Sequence, residues 1–168
     1  MSLFVPQYLF RDVTRISPEF LRGHGIQGLV LDVDNTLTGH DSNEVRPDIA
    51  AWLQTMRQNG VRLMLASNNT RQRVAPFADK IGLDYISFSC KPSPFWLLAA
   101  RRRWRLPRRA IALVGDQIFT DLLAGSLYGA QVLLVRPMYE NEKPSVRMKR
   151  AFEKPLLLRY YKNGGTLM

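Results

Sequence analysis

Short apolar runs of strand length alternate with helical segments along most of this chain, and each run gives way to polar residues. Gly28-Leu29-Val30-Leu31-Asp32-Val33 reads as a buried strand, aliphatic and β-branched. A helix follows from Pro47 to Asn59, with Pro47 in its first turn, an apolar stripe of Ile49, Trp52, Leu53 and Met56, and Gly60 as its stop. Val61 to Ala66 is a second strand and Arg71 to Ile81 a helix closed by Gly82. Tyr85 to Phe88 is a third strand, followed by a helix from about Ser93 to Trp104. Ala110 to Val114, Thr120 to Tyr128 and Gln131 to Val135 complete the series as strand, helix and strand. This order predicts parallel βαβ units in a three-layer α/β/α sandwich with a mainly parallel sheet. Right-handed crossovers then gather the loops at the carboxyl ends of the strands on one edge, where ligands bind in such folds.

The chain of 168 residues, 46% of them apolar and 23% charged, suits one soluble domain over 1–168. Its core is expected over about 26–137, with a basic C-terminal segment over about 140–168. Cys90 is the single cysteine, so no internal disulfide forms and a cytoplasmic location is the default. The N-terminus lacks the basic start and apolar stretch of a signal peptide. No run reaches the roughly 18 to 20 apolar residues needed to cross a bilayer, which leaves peripheral contact with a membrane face open. The net charge of +10 favours polyanionic partners, namely nucleic acid, ribosomes or anionic lipid, and is equally a plain solubility feature.

Four polar clusters fall at the expected strand ends. Asp32 and Asp34, one residue apart, would repel each other in a buried setting unless a divalent cation joined them, and hard oxygen ligands suit Mg²⁺. The alternative is a turn in which Asp34 or Asn35 caps the next segment. Ser67 and Asn68 follow the second strand, where a hydroxyl and main-chain N–H groups can hold phosphate oxygens, or where Ser67 or Thr70 simply caps the next helix. Lys91 stands in a loop stiffened by Pro92 and Pro94 and can neutralise a phosphoryl group, although a lysine is most often a solvated surface residue. Gly115 allows a tight turn after the fourth strand, so that Asp116 points at the site as a second metal-binding carboxylate. Asp121 either binds Mg²⁺ through water, orients Lys91, or sits in the first turn of a helix where the dipole favours an anion.

Taken together, Asp32-Val33-Asp34-Asn35-Thr36, Ser67, Lys91 and Gly115-Asp116 with Asp121 resemble the four motifs of the haloacid dehalogenase superfamily, in the right order. The stretches Leu31 to Leu37, Ser67-Asn68-Asn69, Lys91-Pro92 and Gly115-Asp116-Gln117 with Thr120-Asp121 look like its subfamily IIIA, of the YqeG type, over roughly residues 3 to 140. The resemblance implies a Rossmann-like sheet and a phosphatase in which Asp32 is the nucleophile and Asp34 the general acid and base. It further implies Mg²⁺ held by Asp32, the Asp34 main-chain carbonyl and Asp116, and phosphate bound by Ser67, Asn68 and Lys91. The spacing from Thr36 to Ser67, and from Ser67 to Lys91, leaves no room for a cap domain of about 50 residues. An uncapped site accepts a large phosphomonoester, and relatives of this type include phosphatidylglycerophosphate phosphatases, which points to an anionic phospholipid. A nucleotide or sugar phosphate is the alternative substrate, and an RNA- or ribosome-associated protein on the same fold is the alternative class.

Two basic stretches bear on the partner. Arg101, Arg102, Arg103, Arg105, Arg108 and Arg109 surround Trp104. Lys143, Arg147, Lys149, Arg150, Lys154, Arg159 and Lys162 are interleaved with Met148, Phe152, Leu156, Leu157, Leu158, Tyr160 and Tyr161. Such a segment lies on an anionic lipid interface or packs its apolar side on the domain with its charges solvated. His24 and His40 read as surface loop residues, Cys90 as a small packing residue, and Trp52 and Trp96 as helix core positions.

Overall fold

The computed structural model describes residues 4–40, 42–139 and 144–168. Six parallel strands form one sheet: β1 (Tyr8–Phe10), β2 (Gly28–Leu31), β3 (Arg62–Ala66), β4 (Asp84–Ile86), β5 (Ile111–Gly115) and β6 (Gln131–Val135). Their order across the sheet is β1-β6-β5-β2-β3-β4. The chain steps from β2 to β3 on one side and returns to β5 on the other, so a crevice opens at the carboxyl ends of β2 and β5.

Strand alternation divides the core in two. Leu29, Leu31, Ala112, Val114, Leu133 and Val135 face one layer, where they pack with Ile49, Trp52, Leu53, Met56, Val74 and Phe77. Val30, Ile111, Leu113, Val132 and Leu134 face the other, against Trp96, Leu97, Ile118, Leu122 and Tyr160. Strands buried on both faces read as unbroken aliphatic runs, which is why they stood out in the sequence. The first layer carries α1 (Pro18–Gly23), α2 (Pro47–Gln58) and α3 (Arg71–Ile81). The second carries α4 (Phe95–Trp104), α5 (Leu123–Tyr128) and α6 (Pro144–Lys162). The α/β/α sandwich is thus as expected, and among the described residues no cap domain interrupts it.

Three elements differ from the sequence expectation. The third strand ends at Ile86, because Phe88 turns into the left-handed region (φ 49°) and points outward, its N–H donating to the Asn69 carbonyl at 3.0 Å. The helix expected from Thr120 is preceded by a π-helical turn over Ile118–Leu122, a departure that recurs at functional sites. Third, β1 lies outside the expected core span yet pairs with β6 in the same sheet.

The C-terminal segment returns to the sheet. Helix α6 runs from the carboxyl edge toward the amino edge, burying Tyr160 and placing Leu156 and Leu157 against the core. The last residues then double back, where Met168 N–H donates to the Leu9 carbonyl at 2.9 Å and Arg11 N–H to the Met168 carbonyl at 2.7 Å. The open edge of β1 is covered in this way. Among the described residues, no helix is long and apolar enough to cross a membrane.

Candidate active site

Asp32 follows β2 directly, its N–H still bonded to the Val114 carbonyl at 2.8 Å. The chain then leaves the sheet in a tight loop, where Leu37 N–H and Thr38 N–H both reach the Val33 carbonyl, at 2.9 and 3.2 Å. Asn35 takes φ 60°, a conformation asparagine tolerates better than most residues. The loop places Asp32 inside and Asp34 at the rim.

Lys91 is buried and joins two of the predicted motifs. Its Nζ donates to Asp32 Oδ1 at 2.5 Å and to Asp121 Oδ1 at 2.8 Å. Burial pulls its pKa down, but the Asp121 and Asp32 carboxylates outweigh burial and hold the ammonium above its ordinary range. Trp96 lies under it, the ring centre 5.6 Å from Nζ. Burial in turn pushes the Asp32 carboxyl up, with Lys91 opposing and the Asp121 and Asp34 charges adding, to about 7. Asp116 is likewise raised well above the usual carboxylate range by burial, against the opposing pull of Arg150.

Asp32, Asp116 and Asp121 bring carboxylate oxygens within 4.8 Å of one another. Thr36 Oγ1 stands 3.4 Å from both Asp32 Oδ2 and Asp116 Oδ1. Hard oxygen donors held close, two of them raised by burial, are the setting a small divalent cation relieves, so the residues present fit Mg²⁺. Of the three roles open to Asp121, the structure displays the orientation of Lys91. Its other oxygen accepts from Gln117 N–H at 3.2 Å.

Gly115 has a different purpose from the expected tight turn. A Cβ there would lie 2.3 Å from Asp121 Cγ, so the glycine is what lets the Asp121 carboxylate pack against the end of β5.

Ser67 ends β3 and is buried, with its Oγ accepting from Asn69 N–H at 3.1 Å. It therefore closes a local turn rather than capping α3, whose cap position is Thr70. The Asn68 side chain clamps the Lys91 loop: Oδ1 accepts from Lys91 N–H at 2.7 Å and from Ser89 Oγ at 2.9 Å, and Nδ2 donates to the Lys91 carbonyl at 3.2 Å. Cys90, expected to pack, is exposed in the same loop with φ 54°, because the turn that buries Lys91 rotates its neighbour outward.

The Asp34 carboxylate is held from a separate direction. Asn69 Nδ2 donates to Oδ2 at 2.6 Å and Arg73, on the first turn of α3, to Oδ1 at 2.8 Å. Arg73 also reaches the Ser42 carbonyl and Asn43 Oδ1, both at 2.7 Å, tying the loop over the site to α3. His40 Nδ1 lies 4.0 Å from Asp34 Oδ1, so this histidine belongs to the rim of the site and not to a remote loop. His24 stays at the surface, stacked on Phe20.

The sequence reading missed Asn69, Arg73, Arg150 and Glu153 as site residues. Asn69 adjoins two named positions and was within reach. Arg73, Arg150 and Glu153 are ordinary helix residues until the fold brings them home. Of the two basic stretches, Arg101 to Arg109 lies at the amino edge of the sheet, ahead of β5, away from the site. Arg103 pairs there with Asp84 at 2.6 Å, and Arg108 stacks over Tyr128 at 5.0 Å. Lys143 and the side chains of Arg147 and Lys149 lie outside the described residues, and Lys154, Arg159 and Lys162 are exposed.

A parallel sheet with strand-end aspartates, a buried lysine and a strand-end serine defines a hydrolase class, and the family comparison names it. The haloacid dehalogenase-like hydrolase model matches residues 13–129, and the chain belongs to that family. Among individual proteins it is 29% identical over 156 residues to "Probable phosphatase YqeG" of Bacillus subtilis, spanning 93% of this chain and 91% of that one. It is 25% identical over 170 residues to "Phosphatidylglycerophosphate phosphatase 1, chloroplastic/mitochondrial" of Arabidopsis thaliana, covering 95% of this chain but 49% of that one. NagD from E. coli K-12 shares the fold, with a TM-score of 0.54 and 17% identity over 66% of this chain and 87% of that one. Family and relatives make the enzyme a phosphatase.

Proposed function

We propose that this enzyme is a Mg²⁺-dependent phosphomonoester phosphatase that forms a phospho-Asp32 intermediate on a large or membrane-borne substrate, phosphatidylglycerophosphate being the one to test first. The observation that carries the chemistry is the separate tethering of two neighbouring carboxylates: Asp32 to buried Lys91, Asp34 to Asn69 and Arg73 at the rim.

Asp32, the Asp34 main-chain carbonyl and Asp116 would hold Mg²⁺, with Asp121 acting through water. When bound, the cation neutralises charge on the phosphoryl oxygens. Lys91 opposes the burial that favours the neutral carboxyl of Asp32, and it faces the phosphate. The Ser67 hydroxyl and the main-chain N–H of Asn68 bind its remaining oxygens. An oxygen of Asp32 forms a bond to phosphorus as the bond to the leaving alcohol breaks, and Asp34 gives its proton to that alcohol. Asp34, now a carboxylate, takes a proton from water. The water oxygen bonds to phosphorus, the Asp32–phosphorus bond breaks, and phosphate and the free carboxylate remain.

Three features support a bulky lipid substrate. One relative is named for phosphatidylglycerophosphate. Among the described residues no cap covers the site, and Phe88 and Phe95, on either side of Lys91 in the chain, are exposed. Beside the π-helical turn, Phe4, Phe119, Phe152, Pro155 and Leu156 line an open apolar hollow of about 610 Å³. Met148 and Phe152 are exposed on the same helix, α6.

The test is Mg²⁺-dependent phosphate release from phosphatidylglycerophosphate in anionic vesicles, beside an aryl phosphate and the Asp32→Asn variant. Turnover of the lipid well above the aryl phosphate, lost in the variant, is the expected result. Cleavage of the aryl phosphate alone keeps the chemistry and removes the lipid. Cleavage of neither, with salt-dependent RNA binding instead, removes both.

A further inference from the structure

One side chain at the catalytic edge comes from outside the four motifs. Arg150, on α6, forks across Asp116: its Nη1 donates to the Asp116 main-chain carbonyl and its Nη2 to Asp116 Oδ2. A second contact holds the arginine itself, Nη1 donating to Glu153 Oε2 at 2.9 Å. Glu153 is almost fully buried, and its other oxygen accepts from Ile118 N–H at 2.7 Å. Helix α6 is thereby pinned at two points to the segment that carries Asp116 and Asp121.

The geometry points to Arg150 as a positioning residue for the metal site: it grips Asp116 from outside and turns the other carboxylate oxygen toward Asp32 and the cation. With Oδ2 engaged by Arg150, Oδ1 is the oxygen on the inner side, 3.4 Å from the Thr36 hydroxyl that also stands 3.4 Å from Asp32 Oδ2. Because the guanidinium also holds the main-chain carbonyl of the same residue, it fixes the side-chain rotation of Asp116 as well as its charge. A planar fork does this and a lysine does not.

Charge leads to the same place. Four carboxylates, Asp32, Asp116, Asp121 and Glu153, face two cations, Lys91 and Arg150, so the fully ionised cluster carries two net negative charges. A divalent cation brings it to neutral. Without Arg150 the metal-loaded cluster keeps one net negative charge, which repels a phosphate dianion. The C-terminal helix is on this account a working wall of the active site.

The inference rests on the Mg²⁺ reading of the site and is tested by calorimetric Mg²⁺ titration of the full chain without substrate. Arg150→Ala is expected to raise the Mg²⁺ Kd about 10- to 100-fold, the range seen when a group supporting a metal ligand is removed. Arg150→Lys should recover only part of this, since it returns the charge without the fork. Its kcat should fall at limiting Mg²⁺ and return toward wild type when Mg²⁺ is raised, a recovery that damage to the fold would not give. Glu153→Gln, which keeps an acceptor for Ile118 N–H, should shift Kd the same way by less. Leu158→Ser, on the exposed face of α6, should leave Kd unchanged. A folded Arg150→Ala protein that binds Mg²⁺ as tightly as wild type, or more tightly, overturns the inference. Wild-type protein that takes up no Mg²⁺ overturns the metal reading beneath it.

Discussion

Asp32 and Asp34 are one residue apart and live in different worlds. Asp32 is buried at the end of a central strand and touches an ammonium that is itself buried. The Asp34 side chain is scarcely more exposed, 16% against 12% for Asp32, but it is held by other partners, the Asn69 amide and Arg73 of α3. A nucleophile needs a fixed, desolvated position and a cation to keep it ionised. A proton donor needs contact with the leaving group and with water. On the proposed mechanism the tight loop through Asn35 would supply both from a single short motif, with the division of labour following from where each side chain is anchored.

The comparison breaks most completely at Asp32. Asp32→Asn should lower turnover by about 10⁴-fold or more in a folded protein, read as phosphate release per site. Asp34→Asn should cost about 10²- to 10⁴-fold with an alkyl phosphate. With a nitrophenyl phosphate, whose leaving group needs no proton, the first step should be nearly spared and the phospho-enzyme should accumulate. Arg73→Ala, which frees Asp34 while leaving Asp32 untouched, should lower kcat by about 10-fold with little change in KM, and Arg73→Lys should lose less. Gly115→Ala should destabilise the fold by about 1–3 kcal/mol, measured by denaturant midpoint, because its Cβ meets the Asp121 carboxylate.

The last effect is one of pH on the metal-free protein. Burial raises Asp32 to about 7 and raises Asp116 as well, so the folded state binds protons more tightly than the unfolded chain. Stability should then be fullest below about pH 4, the ordinary carboxylate range, and fall as pH rises toward 7. Thermal unfolding in chelator, scanned across that window, should show the decline, and saturating Mg²⁺ should flatten it.

How far the sequence carried the fold depended on burial on both faces. The strands β2, β3, β5 and β6 are apolar along almost their whole length, and the predicted site residues other than Lys91 follow β2, β3 or β5, so strands and site were readable together. Strand β1 is three residues long, too short for a periodic signal, and its pairing with β6 is a fact of tertiary structure. Helix α6 carries Pro155 in its interior and alternates basic with apolar residues, which hid Arg150 and Glu153 in what looked like a charged tail. Gly115 was noticed for the wrong reason, since only the folded chain brings Asp121 back against it. Arg73 gave no signal because a helix arginine is ordinarily solvated, and its role depends on a loop and a helix meeting over Asp34.

The most direct test of the account is to find the phosphoryl group. The Asp34→Asn enzyme, mixed with nitrophenyl phosphate and Mg²⁺ and quenched in acid, should carry phosphate on one peptide, mapped by mass spectrometry to Asp32. Phosphate on any other residue, or an active wild-type enzyme whose Asp34→Asn form accumulates none while Asp32→Asn still turns over, would contradict it.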